Sequence, residues 1–284
     1  MKRLFFFGFV LVAVCGMVFL SCKKDPVQEG QSAFRTTCGI FHVSESTAVS
    51  FATGNLHCDA TAEPLKWWFA EHQYDWTGKD EYDRSDVEIF LWGPNDGSWG
   101  ENKEYSGDDP ARTTFDWGAV VGGGWRTLTS SEWRYIFDSV HRYTQVTFRD
   151  GVCPNACFAR AIVNGTKGII LFPDGNGKLV IDLEMPRNIN KDCIIDGAWN
   201  DTYTRGYSAE NWELFEAAGC VFLPQAGYRR GSSMFYGSYW SSTGSDASNA
   251  HSVVFKADFL WRSMDFGRRD GGAVRLVRDQ FVLF

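Results

Sequence analysis

Two stretches of the chain repeat apolar residues at helical spacing. Trp133, Ile136, Phe137 and Val140 recur at i, i+3, i+4 and i+7 behind Thr129-Ser130-Ser131-Glu132, which has capping-box spacing. They predict a helix with one buried face. Ser208 opens a second helix, in which Trp212, Phe215 and Ala218 share a face before Gly219 ends it. Elsewhere, short apolar runs bounded by Gly, Asp and Ser predict strands at 39–43, 49–52, 161–163, 168–172, 179–183 and 221–223. More follow near 239–242, 251–256, 259–264 and 273–277. The mixture is α+β, with two main helices, short antiparallel strands and many loops.

The N-terminus follows neither pattern. Lys2 and Arg3 precede residues 4–20, which are apolar apart from Gly8 and Gly16, and Phe19-Leu20-Ser21 leads into Cys22. This resembles a bacterial lipoprotein signal, with Phe19 where Leu is usual. The run of 17 residues is at the short edge of what spans a bilayer as a helix. Acylation at Cys22 would place three chains in lipid, at about 0.8 kcal/mol per buried methylene, and hold the protein on a membrane. The expected division is a signal over 1–21, lipidated Cys22 and a tether over 22–38, and one domain over 39–284. Lys23, Lys24 and Asp25 resemble the export signals of outer-surface lipoproteins of Bacteroidetes, and also suit a solvated linker. The expected location is the outer membrane or cell surface, with a periplasm-facing anchor as the variant.

Charge narrows the partners. The 28 basic residues less Lys2 and Arg3 leave 26 against 35 acidic, a net charge of −9. Such a surface does not attract nucleic acid or anionic lipid. The mature 263 residues can bury one substantial core, and 16% aromatic content with 12 Trp and 29 Gly suits a turn-rich domain. Beyond Cys15 and Cys22, six cysteines remain: Cys38, Cys58, Cys153, Cys157, Cys193 and Cys220. Outside the cytoplasm they permit up to three disulfides, with Cys153–Cys157 and Cys38–Cys58 as candidate local pairs. No second close cysteine pair or nearby histidine completes a metal set, so neither metal nor cofactor is expected.

Several motifs occur in order along the chain. They include Phe69-Ala70-Glu71-His72-Gln73-Tyr74-Asp75-Trp76, Phe115-Asp116-Trp117-Gly118, and Trp125-Arg126-Thr127-Leu128-Thr129 with Glu132-Trp133. Later come Ala161-Ile162-Val163-Asn164-Gly165, Gly168 to Asp174, Val221 to Arg229, Tyr239-Trp240-Ser241-Ser242 and Val274-Arg275-Leu276-Val277. Over roughly residues 40–278 the chain resembles the Fibrobacter succinogenes major paralogous domain family of exported proteins and lipoproteins. That resemblance implies a C-type-lectin-like fold of the formylglycine-generating-enzyme type. It does not bring the enzyme's chemistry, because no cysteine follows Cys220 to form the C-terminal pair. Trp199-Asn200-Asp201 stands too early for a calcium-and-sugar motif and reads as a polar turn.

Conventional catalytic patterns are missing. The histidines His42, His57, His72, His141 and His251 form no HExxH, and Gly122-Gly123-Gly124 lacks the Lys-Ser/Thr of a phosphate loop. That glycine run reads as a turn admitting Trp125 to the core. The C-terminal region is richer. Arg230, Phe235, Tyr236, Asn249, His251, Phe259, Trp261, Arg262, Asp265, Arg268, Arg269 and Asp270 interleave aromatic and polar groups suited to recognition. Tyr239, Trp240, Phe255 and Arg275 are expected in the scaffold instead. The function expected is a lipid-anchored, non-enzymatic module that presents C-terminal loops to a protein or glycan. Such a module could be the variable protein of a diversity-generating retroelement. The alternatives are an exported enzyme and a structural component of a surface fibre.

Overall fold

The computed structural model describes residues 34–76, 83–93, 109–174, 178–195, 197–227, 229–230, 233–234 and 236–281. The signal, Cys22 and Phe235 lie outside them. The first elements are β1 (Phe41–His42), β2 (Ala48–Phe51), β3 (Leu56–Asp59), β4 (Lys66–Phe69), α1 (Trp117–Val121), β5 (Arg126–Thr127) and α2 (Ser130–Ile136). Next are β6 (Thr144–Phe148), β7 (Gly151–Ala156), β8 (Phe158–Val163), β9 (Thr166–Leu171), β10 (Leu179–Ile181), β11 (Arg205–Tyr207) and α3 (Ala209–Ala217). The last are β12 (Val221–Pro224), β13 (Arg229–Arg230), β14 (Ser233–Met234), β15 (Gly237–Gly244), β16 (Asn249–Phe255), β17 (Leu260–Gly267) and β18 (Leu276–Gln280). Strand dominates and helix is scarce, which is compatible with the α+β class.

Each long helix is set by its ends. Thr129 accepts the Glu132 amide while Glu132 reaches back to the Thr129 amide, and Trp133 and Ile136 face the core. The buried stripe stops earlier than its spacing suggested. Val140 is 77% exposed because α2 ends at Ile136 and Asp138 Oδ1 then accepts the Val140 amide. In α3, Ser208 accepts the Asn211 amide, and Trp212 and Phe215 are buried. Its end is a Schellman turn: Cys220 N–H reaches the Phe215 carbonyl, Gly219 N–H reaches that of Glu216, and Gly219 has φ of 85°. The short α1 was not foreseen; Asp116 caps it and also holds the Thr127 amide.

The sheets are small and tied by the chain ends. β18 lies between β2 and β5 in the order β1-β2-β18-β5, with Val277 opposite Phe51. Trp133 packs beneath them, 5.9 Å from the Phe51 ring and 6.3 Å from that of Tyr239. A second sheet runs β11-β8-β9-β12, and β15, β16 and β17 form a meander. Two pairings, β11 with β8 and β10 with β6, are parallel, contrary to the antiparallel expectation. Both partners arrive after long connections, as parallel pairing requires. Asn164 and Gly165, with φ of 47° and 81°, close the β8–β9 hairpin, where φ above zero at both positions suits the strand twist.

Among the described residues, four fully buried arginines join loops to strands. Arg142, Arg160, Arg268 and Arg275 are each 2% exposed or less, and each donates to backbone carbonyls. A guanidinium brings five donors to a place where irregular backbone leaves acceptors unmatched. Burial brings the pKa of Arg275 down to about 10.

The expected tether and disulfides need correction. Phe34 packs edge-on against Phe69 at 5.0 Å, and the Thr37 amide donates to Phe51, so residues 34–38 are part of the folded body. Cys153 lies on β7 and Cys157 follows that strand directly. Even with the bulge that β7 carries between them, strand spacing of about 3.3 Å per residue keeps their Cα atoms roughly 10 Å apart, which is too far for a disulfide. Cys58 is buried on β3 beside Val87, and burial raises its pKa to about 12. Cys38 lies elsewhere, its Sγ donating to the Glu216 carbonyl at 3.3 Å.

Candidate functional site

Arg160 sets the floor of the site. From β8 it donates through Nε to the Lys256 carbonyl at 2.9 Å and through Nη2 to that of Asp192 at 3.0 Å. Burial lowers its pKa to about 10, and Asp192 and Asp258 oppose that shift. The segment around Asp192 is fixed again by its backbone. Leu260 N–H reaches the Asp192 carbonyl at 2.7 Å, and Ile194 N–H reaches that of Asp258 at 3.0 Å. Held this way, the Asp192 carboxylate meets the Arg262 guanidinium at 2.8 Å. Its second oxygen, Oδ1, is buried with no hydrogen-bond partner among the described residues.

The opposite wall is the polar face of α2 and the turn that follows it. Ser131, Arg134, Tyr135 and Asp138 follow the i, i+3, i+4, i+7 spacing that complements the buried stripe. With Asp192, Trp261 and Arg262 they line an open groove of ≈ 530 Å³. Burial raises the Tyr135 phenol, assisted by the charges of Glu45 and Asp174, so it stays neutral at ordinary pH. At Asp138 burial acts to raise the pKa, but hydrogen bonds from His141 and the Val140 amide outweigh it, and the carboxyl is ionised.

Trp261 stands at the mouth of the groove, 47% exposed. It is backed by an aromatic stack. Its ring lies on Phe259 at 4.2 Å with 26° between planes, and Phe259 contacts Tyr236 at 5.7 Å. Lys256 Nζ sits 5.2 Å from the Phe259 centroid, a cation over the inner ring. An exposed indole is therefore carried on a fixed base.

The other candidates separate into distinct roles. His251 Nδ1 lies 2.9 Å from Asp265 Oδ1 and 3.3 Å from Ser263 Oγ, and Ser263 reaches Ser130 at 3.1 Å. Both partners use one ring nitrogen. A hydrolase relay needs a base that takes the serine proton on one nitrogen and is oriented through the other. Asn249 Nδ2 is locked onto the Asp246 carboxylate at 2.9 Å, and Asp270 Oδ2 accepts the Gly267 amide at 3.2 Å. Both shape turns.

Arg268 is a correction. It is 1% exposed, donates to the carbonyls of Asp109, Arg112, Asp246 and Asn249, and lies 4.7 Å over the Trp92 ring. It is scaffold and unavailable to a ligand. Arg269 is at the surface, while Arg230 is placed on β13. Tyr239, Trp240, Phe255 and Arg275 are buried as expected. Sequence reasoning missed Arg134, Tyr135, Asp138 and Asp192. The α2 periodicity held the signal for the first three, and nothing local marked Asp192.

A depression of comparable size, ≈ 590 Å³, is lined by Ala60–Leu65 and Arg84. It is formed by one turn with Arg84 beside it, and Glu63 and Arg84 are the charged side chains of its lining. Several of the strongly shifted groups, Cys58, Tyr207, Cys220 and Tyr239, are core groups moved by burial. Among the described residues, no three His, Cys, Asp or Glu side chains are placed to hold a metal, and no helix is long and apolar enough to cross a membrane. No family model, curated protein or solved structure matches the chain.

Proposed function

We propose that this chain is an exported, lipid-anchored binding module of C-type-lectin-like fold, held at the outer membrane or cell surface through Cys22, whose Trp261 groove takes a carbohydrate. The observation that carries the reading is the exposed Trp261 ring, stacked on Phe259 at the mouth of a groove walled by Tyr135, Asp138, Asp192 and Arg262. A sugar offers an apolar C–H face to an indole, and its hydroxyls pair with carboxylate, phenol and guanidinium. The half-exposed Asp192 carboxylate supplies an acceptor for one of them. Two capped helices beside short strands, with the first and last strands in one sheet, support the fold. The signal-like N-terminus and the acidic charge support export and argue against a nucleic-acid partner. The reading is non-enzymatic, and the His251 contacts with Ser263 and Asp265, made through one ring nitrogen, lend no support to a hydrolase relay.

A protein partner is the second reading. Val140 and Ile195, 77% and 84% exposed, follow Asp138 and Asp192 closely in the chain and would give the groove an apolar rim. A glycan array probed with residues 23–284 separates the two. The first reading expects retention on a defined oligosaccharide class, and Trp261→Ala with Arg262→Ala should weaken it at least tenfold, about 1.4 kcal/mol, without unfolding. Retention on no glycan by folded protein would remove the carbohydrate reading. Full affinity in the double variant would move the site elsewhere.

A further inference from the structure

The N-terminal segment and the end of α3 meet at two glycines. A Cβ on Gly39 would lie 2.0 Å from the Gly219 carbonyl oxygen, and one on Gly219 would lie 2.8 Å from Gly39 Cα. The backbones are in direct contact there, and each glycine has a cysteine beside it: Cys38 precedes Gly39, and Cys220 follows Gly219. Consecutive Cα atoms are about 3.8 Å apart, so this contact brings both cysteines to one small volume. Side-chain bonds place them more closely. Cys38 Sγ reaches the Glu216 carbonyl at 3.3 Å, the same carbonyl that takes the Gly219 amide in the Schellman turn ending at Cys220. Gln73 Nε2 spans the same corner, reaching Glu216 Oε1 at 3.1 Å and the Cys220 carbonyl at 3.3 Å.

We infer that Cys38 and Cys220 form a disulfide that fastens the N-terminal segment to the C-terminal end of α3. Burial holds the Cys220 thiol well above the usual thiol range, and the charge of Cys38 raises it further. The other cysteines are placed differently. Cys153 lies on β7, Cys157 Sγ donates to the Ile136 carbonyl, Cys58 is on β3, and Cys193 bridges to Phe259.

The chemistry is thiol–disulfide exchange with a disulfide oxidant. Cys38 is exposed and supplies the entering thiolate. It attacks one sulfur of the oxidant, expels the other as a thiolate, and leaves a mixed disulfide on Cys38. The Cys220 thiolate then attacks the Cys38 sulfur and releases the second oxidant thiolate. Two electrons pass to the oxidant, and the two cysteine protons go to its thiolates. Since burial disfavours the Cys220 thiolate, the second step belongs to folding, before the end of α3 is covered. The pairing rests on geometry alone, whereas its presence in the cell rests also on the export reading.

The test uses the full chain, expressed with its N-terminus and extracted in detergent after thiols are blocked in the intact cells. Peptide mapping should find a cross-linked peptide joining Cys38 to Cys220. Reduced protein refolded with oxidised glutathione should regain the same peptide, with a higher Tm than the reduced form. That Tm difference should vanish in Cys38→Ser, which keeps the buried thiol and tests for misfolding. Recovery of the cross-link on refolding but not from cells would support the pairing and count against export. Refolded wild type in which both cysteines remain alkylatable, or which links another pair, would overturn the inference.

Discussion

Trp240 and Trp261 lie on β15 and β17 of one three-stranded sheet, yet they do opposite things. Trp240 is 1% exposed; its indole N–H donates to the Phe90 carbonyl at 2.7 Å, and Gly272 lies against the ring. Trp261 is 47% exposed on an aromatic stack. The arginines divide the same way. Arg268 spends its donors on loop carbonyls inside the body, while Arg262 pairs with one half-exposed carboxylate at a groove. Residue type says little about role in this region. What decides is whether neighbouring backbone leaves carbonyls that the polar end must satisfy.

The largest expected contrast is between the tryptophans. Trp240→Ala should lower stability by about 3–5 kcal/mol through cavity formation, while the Phe90 carbonyl keeps the Gly272 amide as its donor. Trp261→Ala should stay within about 0.5 kcal/mol. Equilibrium urea unfolding of both variants measures the gap, and equal losses would erase the distinction. A smaller contrast is expected between the arginines. Arg268→Met should lose about 1–3 kcal/mol because the part-buried carbonyls of Arg112 and Asp246 lose the Arg268 donor, whereas Arg262→Met removes a surface pair worth no more than about 1 kcal/mol. Thermal melts at matched salt would expose any reversal of that order.

The smallest effect concerns the groove wall. The Asp138 carboxyl is held below its ordinary 3.8, so its contribution is complete above that value and is lost as pH falls through the lowered range. Asp138→Asn should therefore melt slightly below wild type at neutral pH, and the difference should shrink on acidification below about 3.8. A gap that widens in acid would mean that the carboxylate is not stabilised in the fold.

Local signals read well wherever the answer is local. Thr129 with Glu132, Ser208, Gly219 and Asn164-Gly165 lie where their cap and turn chemistry requires. Gly122, Gly123 and Gly124, with φ of 81°, 66° and 75°, make the turn that admits Trp125 to the core. Short, weakly patterned strands such as β3, β4, β6 and β7 escaped, since their stability comes from partners found late in folding rather than from propensity. The groove was half legible. Trp261 and Arg262 stood out as unexplained by scaffold, but Arg268 carries the same chemistry and turned inward.

From residue order alone came the α+β class, the two capped helices, the buried standing of Tyr239, Trp240, Phe255 and Arg275, and an acidic chain with a signal-like start. These depend on spacing, side-chain volume and charge, which the chain carries wherever it goes. Tertiary structure decided which strands pair in parallel, that residues 34–38 join the body, that Asp192 meets Arg262 on the wall of a groove facing α2, and that Cys38 comes beside the end of α3. Each of these links residues far apart in the chain. Their contact follows from how loops close and which buried carbonyls need donors, and no local window of sequence records that.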